Sequence, residues 1–158
     1  MSQFPIDALL EQICSAVRPG GTVLLQAPPG AGKTTRVPLA LIGALTEGQG
    51  VLEAQQKIWM IEPRRLTTKA AAARLAESLG EDIGARIGYA VRGEQKRSNR
   101  TQVEVITDGL FLRRLQSDPS LPGVGCVIFD EFHERGRDAD LSLALLREAR
   151  PLLNPDLA

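Results

Sequence analysis

Nine consecutive residues constrain this chain more than any others. They are Ala27-Pro28-Pro29-Gly30-Ala31-Gly32-Lys33-Thr34-Thr35, set between the apolar run Thr22-Val23-Leu24-Leu25-Gln26 and a helical-looking segment. The strict phosphate-loop pattern is a glycine, four residues and then Gly-Lys-Ser/Thr; Ala27 takes the first glycine's place, so the match is to the relaxed form. In such a loop successive amides and the N-terminus of the next helix point at an anion. Gly30, Ala31, Gly32, Lys33 and Thr34, flanked by Pro29 and Thr35, are therefore expected to hold a β-phosphate. Lys33 would reach the β- and γ-phosphates, and the Thr34 hydroxyl is placed to coordinate Mg²⁺. The competing reading is a Gly-Lys-Thr in an ordinary turn; a strand before the loop and a helix after it weigh against that.

With 158 residues, 43% of them apolar, the chain can bury one core, and a single α/β domain is expected. Nineteen basic and nineteen acidic residues give no net charge, so no global field draws the chain to nucleic acid or to an anionic membrane; any such contact must be local. Cys14 and Cys126 lack the spacing of a zinc site and read as free thiols of a reducing cytoplasm. The first residues carry Asp7 and Glu11 and no unbroken apolar stretch, which argues against a signal peptide or a membrane span.

Taken in order, Ile6, Leu9, Leu10, Ile13 and Val17 recur at helical spacing, and Pro19-Gly20-Gly21 ends that helix. A strand over 22–26 leads into the loop, and a helix from about Gly32 runs through Ile42, bent at Pro38. Residues 46–56 read as a surface connection. Lys57 to Glu62 is the next strand, Leu66 to Leu79 a helix stopped by Gly80, and Ile87 to Arg92 a third strand. A polar loop over 93–100 precedes a fourth strand, Gln102 to Thr107, whose alternation predicts one exposed face. Asp108 is a candidate helix cap; a turn-rich loop over 117–123 leads to a fifth strand, Val124 to Phe129, and a last helix spans about 140–150. Strands alternating with helices imply a mainly parallel sheet covered on both faces, with ligands at the carboxyl ends of its strands.

The second half of a phosphate-loop site is an acid at the end of another apolar strand, and Val127-Ile128-Phe129-Asp130-Glu131 supplies two. Asp130 would hold the Mg²⁺ shell, and Glu131 would polarise the water that attacks the γ-phosphate. Alone, such a pair is more often a helix start; the upstream loop reverses that weighting. Asp130-Glu131-Phe132-His133 followed by Glu134-Arg135 resembles motif II of the DEAH-box helicases of superfamily 2, with Phe132 in place of the usual alanine. Pro63-Arg64-Arg65 is similar to motif Ia and Thr107-Asp108-Gly109 to motif Ib, in the right order, with Ile87 to Arg92 resembling the segment between them. The wording around the loop is closest to the bacterial HrpB-type ATP-dependent helicases, and the resemblance covers nearly the whole chain.

The resemblance implies an α/β fold of the RecA-like, phosphate-loop NTPase type, and an ATP-dependent enzyme that uses ATP or another nucleoside triphosphate with Mg²⁺. It implies that His133 couples nucleotide state to a partner domain, that Arg74 packs against the nucleotide base, and that Arg64, Arg92 and Thr107 touch the backbone of single-stranded nucleic acid, RNA ahead of DNA. It further implies that residues 1–158 are the first RecA-like domain, truncated before motif III. Motifs III to VI, and the second domain with its charge-stabilising arginines, would be missing. The missing motif III strand would lie between the phosphate-loop strand and the Asp-Glu strand, leaving a gap of two strand spacings, about 10 Å. Such a sheet would close up, stay imperfect or be completed by another chain. A stand-alone nucleotide-dependent adaptor, and more remotely a small-molecule kinase, are the alternative functions.

Overall fold

The computed structural model describes residues 4–45, 50–53 and 55–158; part of the expected surface connection, residues 46–49 and 54, lies outside the described residues. Five strands form one sheet in the order β3-β2-β4-β1-β5: β1 (Lys57–Glu62), β2 (Ile87–Val91), β3 (Glu94–Lys96), β4 (Val103–Thr107) and β5 (Val124–Phe129). All pairs are parallel except β2 with β3, which closes a short antiparallel hairpin. That hairpin falls where a polar loop was expected, because the exposed Glu-Gln-Lys of β3 carries no apolar signal; its backbone pairs with β2, and the Tyr89 hydroxyl of β2 donates to the Glu94 carboxylate.

Two apolar layers hold the sheet. On one face α1 (Leu10–Ala16), α2 (Lys33–Leu41) and α3 (Arg65–Ser78) bury Ile13, Leu39, Ala72 and Leu75 against Ile58, Met60, Val103 and Val105. On the other, α4 (Asp108–Ser117) and α5 (Arg137–Leu153) bury Phe111, Leu115 and Leu146 against Ile61, Ile106 and Val124. Both faces being covered, β4 has no exposed face, contrary to its alternating pattern. Glu104, which created that pattern, is fully buried and pairs with Arg97 at 3.2 Å and Arg114 at 2.9 Å.

Several boundaries move. The first helix splits into a 3₁₀ turn, Pro5–Leu9, and α1, while α2 ends at Leu41, just before Gly43 at φ 74°. Asp108 is the first residue of α4 rather than its cap; its Oδ1 accepts the Gly109 N–H at 2.7 Å. The final helix is longer than expected at both ends.

The largest departure is the strand expected over 22–26, which does not form. The segment joins no ladder, and Leu24 is 97% exposed. An apolar run becomes a strand only beside a partner, and among the described residues this one shares no backbone hydrogen bond with β5 or any other strand. Residues at the chain's far end begin to occupy the intervening lane: the Ala158 carbonyl accepts the Val127 N–H at 2.9 Å, and the Ala158 N–H donates to the Gly125 carbonyl at 3.1 Å. Arg150 ties the two sides, its Nη1 donating to Thr22 Oγ1 at 3.0 Å and to the Leu157 carbonyl at 3.4 Å.

Candidate functional site

The phosphate loop turns through two left-handed glycines, Gly30 at φ 77° and Gly32 at φ 95°, a conformation other residues adopt at a cost. Gly32 then caps α2. Among the described residues the N–H groups of Gly30, Gly32, Lys33 and Thr34 have no acceptor, the state expected of amides gathered at a helix start. Ala31 differs from expectation, since its N–H is used inside the loop, donating to the Pro28 carbonyl at 3.3 Å. The Lys33 ammonium fills the loop, donating to the Ala27 carbonyl at 2.7 Å and the Pro28 carbonyl at 3.2 Å.

Topology brings the second half of the site to this loop. The Asp130 N–H continues the β5–β1 ladder by one rung, donating to the Ile61 carbonyl at 3.0 Å, and so fixes the acid at the strand's carboxyl end. There Asp130 Oδ2 accepts the Thr34 hydroxyl at 2.6 Å, across 96 residues of sequence. A hydroxyl and a carboxylate in contact are the hard oxygen donors that suit Mg²⁺, so these two residues fit that ion. Glu131 follows at φ 51° and Arg135 at φ 53°, left-handed positions that non-glycine residues hold only when surroundings enforce them. His133 Nε2 lies 3.2 Å from Glu131 Oε2. Phe132 packs edge-on against Phe129, the last link of an aromatic chain through Phe111 to Trp59, and Arg135 covers its ring. A phenylalanine therefore has a packing role in place of alanine.

Glu62 escaped the reading of the sequence. It is buried at the end of β1, beside Thr107 in register, and both burial and the neighbouring Asp130 carboxylate push it up to about 8. Its place at a strand's carboxyl end was the signal that could have found it.

Of the residues expected to meet nucleic acid, Arg92 and Thr107 line a groove of about 340 Å³ beyond the ends of β1, β2 and β4. Arg64 does not line it; its guanidinium pairs with Glu134 after motif II, linking the loops that follow β1 and β5. Arg65 and Arg113 line the groove instead. Arg74 lies on the exposed side of α3, away from the groove.

Comparison with known proteins turns on the same landmarks. The model of the DEAD/DEAH box helicase family matches residues 8–150, which include the loop, both acids and the segments between them. The chain belongs to this family. It is 44% identical over 157 residues to the ATP-dependent RNA helicase HrpB of Escherichia coli, covering 99% of this chain and 18% of that protein. It is 39% identical over 155 residues to the ATP-dependent RNA helicase DHX30 of Gallus gallus, covering 97% of this chain and 12% of the relative. A crystal structure of the E. coli DEAH/RHA helicase HrpB superposes with a TM-score of 0.86 at 42% identity, over 98% of this chain and 19% of that one. A second, of the E. coli DExH-box NTPase HrpB, gives 0.87 at 42% identity, over 99% and 19%. The fold is accordingly the RecA-like domain of these helicases, and the chain spans less than a fifth of the length of either relative. Among the described residues no helix is long and apolar enough to cross a membrane.

Proposed function

We propose that this chain is the first RecA-like domain of an ATP-dependent RNA helicase and that it supplies one side of a nucleotide site completed by a second domain. The contact that carries this reading is the 2.6 Å hydrogen bond from Thr34 to Asp130, which joins the phosphate loop to the acid pair. Family membership favours it over a stand-alone adaptor.

In this reading Lys33 exchanges its two loop carbonyls for the β- and γ-phosphates, and the free amides of Gly30, Gly32, Lys33 and Thr34 hold the β-phosphate between Pro29 and Thr35. Thr34 and Asp130 hold Mg²⁺, which neutralises phosphate charge when bound. Glu131 accepts a proton from the attacking water, and His133, whose Nε2 lies 3.2 Å from the Glu131 carboxylate, carries the state of the site toward the second domain. Arg74 packs on the base. Arg64, Arg92 and Thr107 contact the backbone of single-stranded RNA, the strand that ATP turnover would move. Charge-stabilising arginines of a second domain contribute ~10³ to 10⁵ in rate in related hydrolases. The isolated chain should therefore bind Mg-ATP weakly and turn it over slowly. Its setting would be the reducing cytoplasm, where Cys14 and Cys126 stay thiols.

Titration with a fluorescent ATP analogue tests the site: Lys33→Ala should abolish measurable binding, whereas unchanged affinity would refute the loop's role. RNA-stimulated turnover by the isolated chain at the rate of a complete enzyme would refute the half-site.

A further inference from the structure

The groove at the ends of β1, β2 and β4 carries more than a phosphate site requires. Three arginines from three elements line it: Arg65 opens α3, Arg92 follows β2, and Arg113 lies on α4. Among the described residues none of the three forms an ion pair. Two carboxylates, Asp108 and Asp138, line the same groove, yet neither lies within ion-pair distance of those arginines. Asp138's one ion-pair neighbour is Arg137 at 3.4 Å, whose side chain is 93% exposed, a contact of little energetic weight. Burial and the facing Asp138 raise Asp108 above the ordinary carboxylate range.

Asp138 stands against the motif Ib residues in the wall of the groove. Its Oδ2 is 3.2 Å from the point a Cβ on Gly109 would occupy, so any larger residue there would press on the carboxylate. Each carboxylate has one oxygen engaged, Asp108 by the Gly109 N–H at 2.7 Å and Asp138 by the exposed Arg137 at 3.4 Å; the longer, solvent-exposed contact leaves Asp138 the freer acceptor.

Carboxylates repel phosphate, so a groove built for phosphates alone gains nothing from them. An ionised carboxylate only accepts hydrogen bonds, and a productive ligand must bring it a donor. On a sugar-phosphate backbone that donor is the ribose 2′-hydroxyl, the group that separates RNA from DNA. The volume of about 340 Å³ falls within the range of small-ligand sites, enough for a local segment of backbone rather than a duplex.

We propose that Asp138 accepts a hydrogen bond from a ribose 2′-hydroxyl while Arg65, Arg92 and Arg113 hold the adjoining phosphates, so that this one carboxylate makes the groove select RNA over DNA. The inference rests on the reading of this groove as a single-strand site and adds the residue that tells the sugars apart.

Fluorescence anisotropy of the full chain with labelled all-uridine dodecamers decides it, using ribo, deoxy and 2′-fluoro sugars of identical base. The 2′-fluoro strand keeps an RNA-like sugar but cannot donate, so a carboxylate reader should bind it about as weakly as the deoxy strand. The unmodified chain should favour the ribo strand over both by about tenfold or more, the weight of one charged hydrogen bond. Asp138→Ala should lose that preference by weakening the ribo strand alone, with the deoxy strand bound as well or better. Arg113→Gln should weaken ribo and deoxy strands alike and lower the salt slope by about one. Equal affinity of the unmodified chain for ribo and 2′-fluoro strands overturns the proposal without requiring any variant to fold. So does an Asp138→Ala chain that weakens both sugars equally, as a purely structural role would. No binding of any strand by the unmodified chain overturns both this inference and the single-strand reading beneath it.

Discussion

At the scale of single residues, the nucleotide half-site is held by contacts that can be removed one at a time. The Thr34 hydroxyl donates to Asp130, and both oxygens are the candidate metal donors. Thr34→Val keeps the side-chain volume and β-branching but removes the oxygen. It should weaken Mg-ATP at least tenfold, about 1.4 kcal/mol, while leaving metal-free ATP nearly unchanged; titrating a fluorescent nucleotide with and without EDTA checks this. A second contact ties the N-terminal turn to the helix after the loop. Asp7 Oδ1 accepts from Arg36 Nε at 2.6 Å, and its Oδ2 accepts the Phe4 N–H at 3.0 Å. The Arg36 guanidinium holds the Asp7 carboxyl below its usual range despite partial burial. A group with a depressed folded-state pKa stabilises above its unfolded value, near 3.8, and loses that contribution as pH falls through the folded value. Asp7→Asn should therefore cost ~1 kcal/mol at neutral pH, and nothing once the native carboxyl is protonated. Urea melts across pH read that difference directly; a cost independent of pH would assign the effect to packing.

At the scale of elements, contiguous chemistry was legible in the sequence and assembled chemistry was not. The loop from Ala27 to Thr35 and the run from Asp130 to Arg135 stand out in the sequence because the phosphate and metal binding proposed for them need fixed residue types at fixed spacing. Arg65, Arg113 and Asp138 meet only because β1, β4 and β5 are adjacent and parallel, which delivers the residues that follow them to one end of the sheet. The same gap explains β4: period-two alternation signals exposure only when the polar side chain has no buried partner, and Glu104 has two. Arg114 also stacks over Trp59, its guanidinium carbon 4.8 Å from the ring centroid, so one carboxylate joins β4, α4 and the loop after β3. Breaking a buried pair leaves a charge unmatched. Glu104→Ala should cost about 3–5 kcal/mol in urea denaturation, while Arg137→Ala, on an almost fully exposed side chain, should stay within about 0.5 kcal/mol.

At the scale of the whole molecule, the edges of the sheet make a quantitative statement about stability. On one side β5 offers its outer edge, of which, among the described residues, Ala158 pairs the rungs at Gly125 and Val127. On the other, residues 22–26 are held at both ends, by the Gly20 N–H donating to the Asp156 carbonyl at 3.0 Å and by the Thr34 to Asp130 bond, with no ladder between. Amides without acceptors exchange with solvent at the lowest opening cost, whereas those of β1 and β4 open only with the global transition. Hydrogen exchange on this chain should find Val23, Leu24 and Leu25 nearly unprotected and Met60 and Val105 fully protected. Appending an apolar strand after Ala158, parallel to β5, should fill the lane and pair both edges. It should bury Leu24, which is worth about 1.5–3 kcal/mol when fully covered, and bring residues 22–26 into the protected set. Because that segment leads directly into the phosphate loop, fixing it should also lower any ordering cost of nucleotide binding, so the extended chain should bind Mg-ATP more tightly without any change in the loop. If exchange at 22–26 stays fast and affinity does not move, the lane is not where this sheet is completed.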